Sequence, residues 1–147
     1  MAGELTVTAA KVASVFADGV RGTEIVPMIA GATLTAGQPV YVATTGKAGV
    51  ADANGSGTLQ FRGIALNGGA AGQAVNVLKR GYVEGFDVSG TNCDVVLYLS
   101  DTAGSIATSA GSTTINVGRV AGLSELDSSG NAKKVVYIEA DWLRTWA

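Results

Sequence analysis

The sequence contains no histidine. That removes the commonest general base, the commonest metal ligand and every histidine-dependent triad. Cysteine occurs once, at Cys93, so neither an internal disulfide nor a cysteine metal site can form. With no histidine to activate its thiol, Cys93 reads as a small buried or half-buried side chain. Charged residues make up only 15% of the 147, against about 25% in an ordinary soluble domain. Ten basic and twelve acidic residues leave a net charge of −2, which offers nucleic acid no basic surface. Residues 25–46 carry no charge, but Pro27, Gly31, Thr33, Thr35, Gly37, Gln38 and Pro39 interrupt them. That stretch is too polar and broken for a membrane span. The first residues lack a basic n-region and a compact apolar run, so no signal peptide is expected. A reducing cytoplasm is the expected place of synthesis, left only inside a larger particle.

What is abundant is glycine, 21 residues, with many Val, Thr, Ala and Ser and only two prolines. The glycines have no period of three, which excludes collagen. Glycine with valine and threonine predicts short strands joined by tight turns. Strands are expected at 23–29, 39–43, 59–66, 74–78, 81–86, 95–99, 113–120 and 135–142, with a hairpin at 46–50 and loops at 52–57 and 67–72. No segment after residue 22 holds a 3.6-residue period for ten residues. The expected fold is therefore mainly β: a small barrel or sandwich of short strands with glycine-rich turns.

Residues 1–22 differ from the rest. Leu5, Val7 and Ala9 alternate with Thr6 and Thr8 as in a strand, whereas Val12, Val15 and Phe16 stand at helical spacing. An extended or partly helical N-terminal arm is expected, followed by a β domain over 23–147. Inside that domain Val40-Tyr41-Val42 leads through a glycine-rich loop to Phe61-Arg62-Gly63-Ile64-Ala65-Leu66. Leu97-Tyr98-Leu99 leads similarly to Val117-Gly118-Arg119-Val120. Either such strands match by chance, or two similar β units occupy about 32–90 and 91–147.

No constellation carries chemistry. Glu84 and Asp87 are neighbours, and Glu139 and Asp141 share a strand face, but the acids as a whole are scattered and aromatics are few. Solvated faces and turns account for them better than a sugar cleft. Asp52 with Asn54 and Ser56, and Asp101 with Ser105, are fragments of calcium loops without the closing glutamate. No phosphate-cradling glycine motif is present. Lys79-Arg80 and Lys133-Lys134 suit guarded strand ends. No catalytic residue, metal site or cofactor is expected, and neither is a nucleic-acid or membrane partner. Trp142 continues the Val136, Ile138, Ala140 face as core. Together with Arg144 and Trp146 it also gives the terminus the composition of an oligomer interface.

The stretch Ala32-Thr33-Leu34-Thr35-Ala36-Gly37-Gln38-Pro39-Val40-Tyr41-Val42, then Phe61-Arg62-Gly63-Ile64-Ala65-Leu66, Ala71-Gly72-Gln73-Ala74-Val75-Asn76-Val77 and Gly81-Tyr82-Val83, resembles the capsid decoration (cement) proteins of tailed bacteriophages. The likeness covers residues 32–90; residues 91–147 share only its character. It implies a non-enzymatic β protein on the outer surface of a phage head, made in the host cytoplasm. Its partners would be the major capsid protein and further copies of itself, as a homotrimer or else a dimer. It would sit at junctions between capsid subunits and stabilise the shell. The N-terminal segment would touch the capsid, with Leu5, Val7, Val12, Val15 and Phe16 as apolar anchors and Thr6 and Thr8 facing solvent or an added strand. A tail, baseplate or fibre module that binds a host surface is the alternative.

Overall fold

The computed structural model describes residues 3–55 and 57–147. The fold is mainly β, a curled antiparallel sheet in the shape of a half-barrel. Its strands are β1 (Ala13–Ser14), β2 (Glu24–Ile29), β3 (Pro39–Val42), β4 (Ala48–Val50), β5 (Gly63–Ala65), β6 (Ala74–Glu84), β7 (Val96–Leu99), β8 (Ile106–Ala107), β9 (Asn116–Leu126) and β10 (Ala132–Glu139). The sheet runs β4-β3-β5-β6-β10-β9-β7-β8, while β1 and β2 pair with β6. Both β2 and β10 pair with Arg80, so they lie on opposite sides of β6.

The expected strands 74–78 and 81–86 form one strand, β6, with a register shift against β2 between Glu24 and Ile25. That extra residue bends the strand without ending it. The expected strand at 59–66 shrinks to β5, because the Phe61 N–H turns back to the Leu59 carbonyl. Pairing at β8 arises inside a stretch that carries no strand pattern.

The connectivity of β3–β6 recurs in β7–β10. In each half a hairpin precedes a strand that returns beside the first, and a fourth strand pairs with that one. The register recurs as well: Val40 pairs with Gly63 and Leu97 with Gly118, then Ile64 with Leu78 and Arg119 with Tyr137. Both glycines are required by close approach. A Cβ on Gly63 would drive into the Leu78 carbonyl, and one on Gly118 into the Tyr137 carbonyl, the equivalent atom.

The open side of the half-barrel is bridged by loops. The Ala53 N–H donates to Ser100 O at 2.8 Å and the Gly104 N–H to Ala51 O at 3.0 Å. The expected arm forms part of the same body. The Leu5 N–H donates to Ile106 O, Thr108 N–H to Gly3 O, Thr8 N–H to Gly85 O and Asp87 N–H to Thr6 O. Residues 3–8 thus lie between β8 and the chain beyond β6. A helix over 9–17 does not form; only Ala9–Lys11 make a 3-10 turn. The Val15 N–H is taken by Tyr82 O, and Ala13–Ser14 pair with β6. Tertiary partners for the backbone override the local helical spacing.

The main core holds Phe61, Ile64, Leu78, Leu97, Leu99, Ile106, Ile115, Val136 and Ile138, together with Leu5, Val12 and Trp146. Each large side chain here contributes about 1.5–3 kcal/mol relative to exposure. A second, smaller cluster of Ala30, Leu34, Val40, Ala48, Ala65, Val75 and Val77 lies on the other face of the first half.

Candidate interaction surfaces

The carboxylates hold turns. Asp18 accepts the Ile25 N–H, Asp52 that of Asn54, Asp87 that of Ser89 and Asp101 that of Ser112. Asp127 accepts the N–H groups of Ser129 and Asn131, and Asp141 that of Leu143. At Asp52, Asp87, Asp127 and Asp141 these are Asx-type turns, in which the side chain replaces a missing backbone partner, while Asp18 and Asp101 tie backbone seven and eleven residues away. The Asp87 carboxyl is held below its ordinary pKa by the Ser89 hydroxyl and N–H. Among the described residues no group of three acidic or cysteine side chains is placed to hold a metal ion. The Ser56 of the calcium-like run lies outside the described residues. Cys93 is exposed, not buried; it sits in the turn that leads to β7, where no packing demands a small apolar side chain.

The anticipated capsid anchors separate into two sets. Leu5 and Val12 are core residues and have no surface to offer. Thr6 and Thr8 are exposed, and Val7, Val15 and Phe16 are half-buried. The alternation read from Leu5 to Thr8 is real, but its apolar side faces this chain's own interior.

The C-terminal residues form a strap across the first half. Arg62 donates to Asp141 O at 3.2 Å and to Arg144 O at 3.1 Å, and the Trp142 indole N–H donates to Arg62 O at 2.8 Å. Gln60 pairs with the Trp146 backbone in both directions, at 2.6 and 2.9 Å. The Arg62 and Arg144 guanidinium carbons lie 5.9 and 5.4 Å from the Trp146 ring centre, within cation–π range. Burial lowers the Arg62 pKa and the Asp141 charge opposes it; an arginine remains charged regardless. Trp146 is 7% exposed, so it has a home within its own chain. Trp142 is half-buried against the core, Arg144 is exposed, and Leu143 projects furthest into solvent as a large apolar side chain, at 98% exposure.

Sequence reasoning missed a row of rings on the outer face where β6 pairs with β10, at the join of the two halves. Phe16 meets Tyr82 edge-on at 5.6 Å, and Tyr82 meets Tyr137, its cross-strand partner, at 5.1 Å. Arg21 lies 4.9 Å over Phe16. Tyr137 Oη donates to Glu139 at 2.7 Å, and burial with that contact raises its pKa to about 12. Arg80 reaches Glu24 at 3.5 Å and Glu139 at 3.8 Å. The signal was available: two tyrosines on adjacent strands in one register. A hollow of about 220 Å³ lies on each side of the row, one lined by Val96, Asn116, Arg119 and Tyr137, the other by Phe16, Arg21, Tyr82 and Leu123.

The β2 edge is closed to strand addition. The bonded pair Ala30–Gln73 sets the alternation, so Ile25, Pro27 and Ile29 point their backbone away from β6. Asp18 already holds the Ile25 N–H, and Pro27 has none to give. In comparisons with protein-family models, curated proteins and solved structures, nothing matches this chain.

Proposed function

We propose that this chain is a capsid decoration protein. It binds the outer surface of a tailed-phage head at junctions between major capsid subunits and stabilises the shell by contact alone, without catalysis. The observation that carries this reading is the use made of polar side chains. Six aspartates fasten turns and loops, and Arg62 and Gln60 fasten the tail to the body. These side chains brace loops and termini, as suits a body loaded mechanically. The motif likeness over residues 32–90 supports the same reading. A symmetric oligomer, a trimer first and a dimer second, would engage several capsid sites at once and turn weak contacts into strong binding.

Among the anticipated anchors, the exposed Thr6 and Thr8, with half-buried Val7 between them, are the stretch that meets the capsid in this reading. The test is co-sedimentation with undecorated heads. Saturable binding and a higher rupture temperature of the heads are expected. Thr6→Glu with Thr8→Glu should weaken binding at least about tenfold, with the circular dichroism spectrum unchanged. Failure of the wild-type protein to co-sediment would overturn the reading. Deleting residues 2–20 is the poorer test, since it also strips Leu5 and Val12 from the core.

A further inference from the structure

The far ends of β9 and β10 leave the body as a hairpin. Residues 124–131 are exposed throughout, and Ala132 still pairs with Leu126. The tip is a built turn: Asp127 Oδ1 accepts from Ser129 and Asn131, and the Asp127 N–H donates to Asn131 O. On this hydrogen-bonded tip Leu126 is 71% exposed, flanked by Glu125 and Asp127. Solvent is a poor partner for a leucine held out in that way.

The hollow at the base of the same hairpin has the complementary character. Phe16, Tyr82 and Leu123 form its apolar wall, and the Arg21 guanidinium stands over the Phe16 ring at its rim. Arg21 itself is held at φ 51° in an exposed turn. A leucine between two acids matches, in charge and in its apolar centre, a hollow that sets Phe16, Tyr82 and Leu123 beside an arginine. Its own tip cannot fill it. At about 3.3 Å per residue, Leu126 stands roughly 7–10 Å beyond the Ser124 and Leu123 wall, on a strand that runs away from it.

We infer that the Glu125-Leu126-Asp127 tip of one copy seats in the Phe16–Tyr82–Leu123 hollow of the next, with Glu125 against Arg21. Tip and hollow are different surfaces, so the contact is head-to-tail, and the trimer of the reading above is the ring it makes when its rotation closes. Each copy then gives one tip and receives another. The inference deepens the self-assembly part of the reading above and rests on it, without depending on the capsid.

The experiment measures molar mass in solution by light scattering and sedimentation, free of any head. A ring-sized species is expected for the wild type at tens of micromolar. Leu126→Asp and Arg21→Glu should each raise its dissociation constant at least about tenfold. Arg21→Glu combined with Glu125→Arg should recover it to within about threefold. A mixture of the Leu126→Asp and Arg21→Glu chains should give a dimer that goes no further, since one intact tip meets one intact hollow. All three positions are at the surface, and unchanged circular dichroism checks the fold. A monomeric wild type would overturn both self-assembly and this interface. An assembled wild type whose two variants assemble equally well would overturn the interface alone.

Discussion

In the half built from β3–β6, both faces of the sheet are covered. Ile64 and Leu78 face the main core, and Ala65 and Val77 face the second cluster beneath Leu34 and Ala30. In the half built from β7–β10, Leu97, Val120 and Val136 face the core, while Tyr98, Arg119 and Tyr137 lie on the outside. The register is shared, yet the face turned inward is not: the counterparts of buried Ile64 and Leu78 are Arg119 and Tyr137. Backbone plan and hydrophobic content are therefore separable. The glycine at each crossing sets how closely the strands approach. What lies above the sheet decides whether its outer face is apolar or free for contacts.

The largest expected effect comes from cutting the tie between the halves. Trp146→Ala removes a buried ring from a tail that continues the second half and lies on the first. It should cost about 3–5 kcal/mol, read as a lower urea midpoint, and Arg62→Ala should follow the same direction by a smaller amount. If oligomer mass fell while the midpoint held, Trp146 would be an interface residue instead. Next is the direct contrast of equivalent positions. Ile64→Ala should cost about 2–5 kcal/mol, whereas Arg119→Ala, which loses an exposed hydrogen bond to Asp94 O and an ion pair with its carboxylate, should stay within about 1 kcal/mol. Equal losses would mean that the outer face of the second half is packed.

Gly63→Ala and Gly118→Ala sharpen the shared part of the plan. Each forces a methyl against a carbonyl of the neighbouring strand, and each should destabilise by about 1–3 kcal/mol. A large loss at one and none at the other would break the equivalence. The smallest effect is at Tyr137. Its folded pKa of about 12 stands above the ordinary value of about 10, so the folded state favours the neutral phenol. That contribution is intact below pH 10 and is lost as pH rises from about 10 to 12. Tyr137→Phe should remove a phenolate step near pH 12 from an ultraviolet titration and change stability at neutral pH by no more than about 1 kcal/mol.

The strands, their turns and the Val40/Leu97 echo were legible in the sequence because alternation and glycine placement are local signals. The two quoted segments share a register, Val40 opposite Gly63 and Leu97 opposite Gly118. The inward faces were not legible, since Ile64 and Arg119 occupy the same place under different cover. The N-terminal segment misled for a related reason. Leu5 and Val12 look unpartnered along the chain because their neighbours, Ile106 and β6, are distant in sequence and supply both hydrogen bonds and core. Trp146 was misread in the same way, since Gln60 and Arg62 carry no mark of the tail they hold. The tyrosine row needed the β6–β10 pairing, which periodicity within one strand cannot reveal.

The placement of residues 3–8 between β8 and the end of β6 has a consequence in time. Leu5 leaves the ribosome long before Ile106, whose carbonyl it needs, and translation at about 5–20 residues per second separates the two by seconds. Closure of the body is therefore a late event after synthesis, governed by distant pairings, and folding should take milliseconds to seconds. Until then the nascent chain shows its strand edges and apolar faces to every neighbour. The proline and the aspartate that close the β2 edge act locally, through Pro27 itself and an Asp18–Ile25 contact only seven residues apart. They can take effect as soon as that turn forms, before the slow step is complete.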